Sequence, residues 1–368
     1  MRRPKTWGAG RILERDGIPG GSGLHLFVTM SPELILVLTV VVVALCFDFI
    51  NGFHDSANSV ATVVSTRVLT PYQAVLWAAF FNFVSAFSFG TGVAKTVGAG
   101  LVDLRVVTVQ VILCGLIGAV VWDLITWWFG LPTSSSHALF GGYAGAAIAK
   151  TAIMKGFSNS FGVLIMNGWI KTIVFMVLAP LIGLVAAYAF MIAVYWLFRR
   201  SSPRKMDVYF RKLQLVSAAA FSYSHGTNDA QKTMGIITGV LVTAGYLESF
   251  VVPIWVILSA HAAIALGTLC GGWRIVHTMG ARITRLRPRG GFCAETASAV
   301  SILLATAVGV GVSTTHVITG AIAGVGSIQR VKAVRWGVAA SIVWAWFMTI
   351  PAAAVVAAVS YLVVHCCF

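Results

Sequence analysis

Phe53-His54-Asp55-Ser56-Ala57-Asn58 and Gly226-Thr227-Asn228-Asp229-Ala230-Gln231 are two versions of one pattern, an acid and amides set into otherwise apolar sequence. Each is followed further on by a hydroxyl run ending in histidine, Thr133-Ser134-Ser135-Ser136-His137 and Ser313-Thr314-Thr315-His316. Asp55 and Asp229 are 174 residues apart (229 − 55), and His137 and His316 are 179 apart (316 − 137). Asn82 and His261 repeat the second spacing (261 − 82 = 179). Gly141 and Gly145 follow His137 as Gly320 and Gly324 follow His316. Such a steady offset means an internal duplication. Duplicated halves with polar interruptions inside apolar spans are the construction of secondary transporters.

Composition sets the class. Of 368 residues, 58% are hydrophobic and 10% charged, with a mean hydropathy of +0.89, where a soluble domain carries about 25% charged residues. Stretches near the roughly 20 apolar residues that cross a bilayer run over Glu33–Phe53 and about 73–94, 106–129, 161–178, 181–198, 251–272, 295–312 and 336–364. The expected fold is an all-α polytopic membrane protein, two inverted-topology repeats with re-entrant or broken helices around a central site. The expected organisation is a basic tail (1–30), a first transmembrane repeat (31–198), a basic linker (199–212) and a second repeat (213–368).

The net charge of +15 would suggest nucleic-acid binding in a soluble chain. Here the charge lies in short loops, Arg199–Lys212 and Arg274–Arg289, without interleaved aromatic stacking platforms. By the positive-inside rule both loops face the cytoplasm. The second half then begins inside and, if the halves are inverted, the first begins outside. The basic tail does not suit that orientation, nor does it read as a secretory signal. Met30-Ser31-Pro32-Glu33 reads as a native start. Cys46, Cys114, Cys270, Cys293, Cys366 and Cys367 show no Cys-x-x-Cys spacing and are read as small packing residues.

Four stretches, roughly 54–70, 131–149, 224–243 and 313–327, begin polar and are rich in small residues. They are read as re-entrant or broken helices, because irregular backbone at membrane depth survives only inside protein or against water. Asp55 and Asp229 are the strongest chemical signal, since an acid in a span costs about 2.5–3.5 kcal/mol. A helix-cap role is the bland alternative. Asn58, Asn228 and Gln231 place amides beside the acids, a donor set for Na⁺, and an acid could equally bind a proton. Thr133, Ser134, Ser135 and Ser136, with Ser313, Thr314 and Thr315, offer hydroxyls where helices restart, and a helix start presents free N–H groups and a positive dipole to an oxyanion.

His54, His137, His225 and His316 flank these motifs, either to position neighbours, to relay protons or merely to fill hydrogen-bonded packing positions. Lys232 either pairs with an acid or attracts anions. Glu295 is a first-turn charge or a supporting residue of the site. The paired glycines read as helix-packing positions. Neither a Walker-type phosphate loop nor His-Glu-x-x-His spacing occurs. Ser136-His137 does not make a nucleophile–base pair, because adjacent helical residues do not face each other. An enzyme is not expected.

The chain resembles the inorganic phosphate transporter family, bacterial low-affinity permeases and their eukaryotic sodium–phosphate relatives. The resemblance rests on Phe49-Ile50-Asn51-Gly52-Phe53-His54-Asp55-Ser56-Ala57-Asn58, Gly130-Leu131-Pro132 with the run to His137, Ser224-His225-Gly226-Thr227-Asn228-Asp229-Ala230-Gln231-Lys232 and Val312-Ser313-Thr314-Thr315-His316. It covers about residues 31–364. It implies import of inorganic phosphate, alone or as a metal–phosphate complex, with Na⁺ or H⁺ across the bacterial cytoplasmic membrane. It further implies inverted repeats, alternating access, a homodimer, and no cofactor beyond the coupling ion.

On the matching positions it implies substrate contacts from Thr133, Ser134, Ser135, Ser136, Ser313, Thr314, Thr315, Asn58, Gln231, Asp55 and Asp229. It implies cation contacts from Asp55, Asn58, Asn228 and Asp229, with Na⁺ at the two acids. His54 and the Gln231-Lys232 pair differ from many relatives, and the long hydrophilic loop of many relatives is replaced by 199–212. A sulfate or other oxyanion permease is the alternative substrate reading.

Overall fold

The computed structural model describes residues 31–87, 90–103, 105–328 and 330–367. The basic tail and the expected start at Met30 lie outside them. Twelve α-helices are found among the described residues. The first six are α1 (Pro32–Ser65), α2 (Pro71–Val84), α3 (Gly92–Ala99), α4 (Val109–Phe129), α5 (Ser135–Lys155) and α6 (Met166–Leu197). Then follow α7 (Pro203–Thr243), α8 (Ile254–Cys270), α9 (Trp273–His277), α10 (Pro288–Ala307), α11 (Thr314–Ser327) and α12 (Trp336–Cys367). Five are long and apolar enough to cross a membrane, six if α8 and the following 273–282 segment, bent by 63°, form one span. This is a multi-pass helical membrane protein.

Local chemistry explains the ends. Ser31 caps α1 by accepting the Leu34 N–H at 3.2 Å, with Pro32 in the first turn. Thr70 and Gln73 form a capping box on α2. Gly130 (φ 66) and Gly309 (φ 72) make left-handed turns just before α5 and α11. Ser134 and Ser313 then cap those helices, accepting the N–H of His137 and of His316, each at 3.3 Å. The stretches 131–149 and 313–327 thus begin as helix restarts, as expected.

The other two interrupted stretches are not breaks. Residues 54–65 continue α1, and 224–243 are the last part of the 41-residue α7. Neither motif contains proline, and the helix runs through each without a break. The glycines within them serve close approach: a Cβ on Gly52 would lie 2.1 Å from the Ile264 carbonyl oxygen, and one on Gly226 2.7 Å from that of Asn82. Two further differences concern boundaries. The expected spans 161–178 and 181–198 are one helix, α6, running through Pro180, and most of the expected linker forms the first turns of α7.

Packing repeats the duplication. Gly141 and Gly145 of α5 lie against the backbone of Ile350 and Ala354 in α12, while Gly320 and Gly324 of α11 lie against Pro180 and Leu184 in α6. Each half therefore lends its hydroxyl-run helix to the proline-bearing helix of the other, since α12 contains Pro351 as α6 contains Pro180. The apolar core has two clusters. One joins Val40, Ala44 and Phe47 of α1 to Ile237 and Val240 of α7. The other joins Ala57, Val60 and Val63 of α1 to Phe210, Ala218 and Phe221 of α7. Both helices cross from one cluster to the other, and their polar segments lie at the crossing.

Candidate functional site

At that crossing Asp55, His225 and Asp229 each offer one ligand atom, and these atoms lie within 4.8 Å of one another. Asp55 is 3% and Asp229 1% exposed, so the acids share one buried centre. The start of α11 bridges them: Thr314 Oγ1 donates to Asp229 Oδ2 and Thr315 Oγ1 to Asp55 Oδ2, both at 3.3 Å. Asn58 Nδ2 in turn donates to the Thr315 hydroxyl at 2.9 Å and approaches that of Thr314 at 3.5 Å. From the start of α5, Ser135 Oγ lies 3.5 Å from Asp55 Oδ1. Two helix starts, with their N–H groups and partial positive charge, thus converge on two carboxylates.

Lys232 completes the ring. Its ammonium, on a 2% exposed residue, donates to Asp229 Oδ1 and Ser136 Oγ, each at 2.5 Å, and to the Val312 carbonyl at 3.1 Å. His225 Nε2 lies 3.3 Å from Asp229 Oδ2, and its Nδ1 faces Asn82 Oδ1 at 3.2 Å. His54 Nδ1 lies 2.7 Å from Asp55 Oδ1, and its Nε2 faces the hydroxyls of Thr126 and Thr133 at 3.1 and 3.4 Å. Asp55, Asp229, Asn58, Ser135, Ser136, Thr314, Thr315, His225 and Lys232 are therefore brought together, with Thr133 and His54 just behind.

Other expected members stand apart. The Gln231 amide turns to α3: its Oε1 accepts the Val93 N–H at 3.0 Å and its Nε2 donates to the Thr227 carbonyl at 2.9 Å. Asn228 Nδ2 donates to Thr306 at 2.7 Å, leaving its Oδ1 buried without a partner. Ser134 and Ser313 act as caps. His316 has a packing role. Its Nδ1 lies 3.2 Å from the Met176 carbonyl, the group that Pro180 leaves without its helical donor. Its ring stacks on Trp346 at 3.8 Å and meets His137 edge-on at 4.8 Å. Glu295 lies deeper toward the second apolar cluster, accepting from Thr62 at 2.5 Å, Gln214 at 3.0 Å and Ser217.

Asp48 and Asp123 were not singled out from sequence. Both are fully buried, and none of their carboxylate oxygens has a hydrogen-bond partner. Asp48 is near Asn51 and Thr233, and Asp123 near Ser135 and His54. The signal was present, since each is an acid within an apolar span, the same anomaly that marks Asp55.

A multi-pass helical protein that gathers two acids, an ammonium and two hydroxyl-bearing helix starts at one buried centre has the build of a solute transporter. The chain belongs to the phosphate transporter family, whose model matches residues 51–357. It is similar to the probable low-affinity inorganic phosphate transporter of Rhizobium meliloti (strain 1021), 55% identical over 327 residues, covering 89% of this chain and 96% of that one. The protein of the same description from Bacillus subtilis (strain 168) is 44% identical over 342 residues, covering 92% and 100%. The solved structure described as the sodium-dependent phosphate transporter shares the fold, with a TM-score of 0.80 at 23% identity, over 91% of this chain and all of that one. The chain is a transport protein rather than an enzyme, and its bacterial relatives place it in the cytoplasmic membrane.

Proposed function

We propose that this protein imports inorganic phosphate with Na⁺ by alternating access to the ring of Asp55, Asp229, Thr314 and Thr315. The observation that carries the reading is that one helix start donates to both acids. Anion donors and cation ligands then occupy one small, buried place. Unit charges about 4 Å apart attract by about 4 kcal/mol at an effective dielectric near 20. A cation held at the acids therefore draws phosphate to the adjoining hydroxyls and N–H groups, and without it the anion faces an excess of negative charge. That dependence is symport. Carboxylate, hydroxyl and amide oxygens suit Na⁺, and the sodium dependence in the structural relative's description supports the same ion.

The inverted arrangement is part of this proposal. Arg211, near the start of α7, donates to the Arg67 carbonyl just beyond the end of α1. Arg274 of α9 donates to the Trp128 carbonyl at the end of α4. The basic segments thus gather at the end where α1 and α4 finish and α7 and α10 begin, which supports opposite directions for the two halves and a cytoplasmic end there. A cavity of about 170 Å³ lined by Thr96, His137, Lys171, Gly311 and Ser313 is a candidate entry for the anion from the other end. A homodimer, each protomer with its own ring, completes the proposal.

The test is phosphate uptake into proteoliposomes under separately imposed Na⁺ and H⁺ gradients, with excess unlabelled sulfate and a divalent-metal chelator in parallel arms. Uptake that follows Na⁺, resists sulfate and survives chelation is the expected result. HPO₄²⁻ carries a proton that a carboxylate can accept, and sulfate does not. Uptake that follows H⁺ alone overturns the coupling ion, competition by sulfate overturns the selectivity, and loss on chelation means a metal–phosphate complex is carried.

A further inference from the structure

Asn58 and Lys232 occupy matching positions of the duplication, 174 residues apart (232 − 58), each three residues after its acid. They make matching contacts. Asn58 Nδ2 donates to Thr315 Oγ1 of α11 at 2.9 Å, and Lys232 Nζ donates to Ser136 Oγ of α5 at 2.5 Å. Thr315 and Ser136 are themselves matched, at the 179-residue spacing (315 − 136). At these positions the two halves of the ring are built alike and differ by one charge.

The surroundings of the Lys232 ammonium say what that charge replaces. Its three N–H groups point at a carboxylate oxygen, a hydroxyl oxygen and a backbone carbonyl oxygen, those of Asp229, Ser136 and Val312. An ammonium has three donors, and all three are used on the protein, so none is left to hold phosphate. Carboxylate, hydroxyl and carbonyl oxygens are also the ligands that a hard cation takes. The side chain fills its place: a Cβ at Gly311 would meet Val93 and the Lys232 stem, at 3.1 and 3.5 Å. In the first half, Asp55 has the hydroxyls of Thr315 and Ser135, the His54 ring nitrogen and the neutral Asn58 nearby, with no ammonium.

We propose that Lys232 is a tethered cation filling the second of two equivalent cation seats, so that this transporter takes one mobile cation, at Asp55, where a neutral residue at 232 would demand two. The inference rests on the symport reading above and adds its stoichiometry. Charge counting supports it. Two carboxylates and one ammonium leave one negative charge for a mobile cation to balance, and an isolated buried charge is strongly disfavoured. His54 and His225, which lie against the two acids, and the buried Asp48 and Asp123 are common to wild type and variant, so they drop out of the comparison.

Lys232→Asn copies the first half into the second. In proteoliposomes the cation-to-phosphate ratio is read from the Na⁺ gradient at which phosphate flux reverses. The expected result is a ratio that rises by one from wild type to Lys232→Asn, with the Na⁺ dependence of uptake steepening from a Hill coefficient near one toward two. An unchanged ratio in a transporting variant overturns the proposal. If the variant is folded but does not transport, Na⁺-dependent thermal stabilisation of the purified protein with phosphate present decides. A second, saturable Na⁺ requirement supports the tethered cation, and a Na⁺ response identical to wild type overturns it. Where H⁺ drives wild-type uptake, the same reversal measurement on the H⁺ gradient applies, and only the choice of ion has failed. Wild-type uptake that follows neither gradient overturns both this inference and the symport reading.

Discussion

The acid-bearing segments and the hydroxyl runs look alike in the sequence, and they fold in opposite ways. Both are polar, small-residue interruptions of apolar stretches. The acid motifs lie in mid-helix in α1 and α7, and the hydroxyl runs start α5 and α11. The difference follows from what comes before each. A left-handed glycine precedes each hydroxyl run, Gly130 or Gly309, and a serine then captures a free N–H. Nothing before Asp55 or Asp229 interrupts the hydrogen-bond ladder, and their side chains find partners on other helices. Rigid helices therefore carry the charges, and helix starts bring the donors to them.

Breaking the charged side should have the largest effect. Asp55→Asn and Asp229→Asn are each expected to lower coupled phosphate uptake at least about 100-fold, equivalent to roughly 2.7 kcal/mol, in proteoliposomes containing verified amounts of inserted protein. The two should part in stability. Asp229→Asn leaves the Lys232 ammonium buried without its counter-charge, a change that costs about 3–5 kcal/mol, while Asp55 has the His54 ring beside it and no ammonium. A markedly lower thermal midpoint for Asp229→Asn than for Asp55→Asn is the expected outcome. Equal midpoints would mean that the ion pair at 2.5 Å is not maintained in the membrane.

The hydroxyl side should respond in affinity. Ser135→Ala and Thr314→Ala remove donors at the two helix starts, and a hydrogen bond to a charged group contributes about 1.5–3 kcal/mol. The apparent KM for phosphate should rise about tenfold or more, with the inserted amount unchanged. An unchanged KM in both would remove these hydroxyls from the anion's contacts. Gln231→Ala serves as the contrast. Its amide is bonded to the Val93 and Thr227 backbone, so its KM should match wild type.

How much of this was legible in the sequence divides along the same line. The helical membrane class and the restarts at Ser134 and Ser313 could be read, because apolar composition and glycine and serine chemistry are local. The pairing of Asp55 with Thr315, of Lys232 with Ser136 and of Glu295 with Gln214 could not, because each joins helices far apart in the chain. Gln231 shows the converse. Adjacency to Asp229 in sequence suggested a shared site, yet successive residues on a helix do not share a face. Asp48 and Asp123 are legible as acids within apolar stretches, although they lie outside the repeated motif.

The duplicated packing invites a smaller test. A Cβ at Gly320 or Gly324 would lie 2.0 or 2.3 Å from a carbonyl oxygen of α6, and one at Gly141 or Gly145 2.3 or 2.1 Å from one of α12. Gly320→Ala and Gly141→Ala should each destabilise by about 1–3 kcal/mol through overpacking, read as paired falls in the thermal midpoint of purified protein. A fall in one only would show that the two halves no longer pack equivalently.

The smallest effect should come from the caps. Ser134→Ala and Ser313→Ala each remove an acceptor for a first-turn N–H, typically about 1 kcal/mol, while the hydroxyls that touch the acids stay in place. Stability should therefore fall by a small amount and the phosphate KM should move far less than in Ser135→Ala. The two caps should also differ from each other. α11 has 14 residues and α5 has 21, and a helix near the lower limit of self-sustaining length depends more on its ends. Ser313→Ala is expected to cost more than Ser134→Ala, and because Thr314 and Thr315 bridge both acids from that same end, its loss of order should reach the ring first. Hydrogen exchange along α5 and α11 would resolve the order. Faster exchange at the start of α5 in Ser134→Ala than at the start of α11 in Ser313→Ala would show that tertiary packing, not the serine, holds the α11 start against the acids.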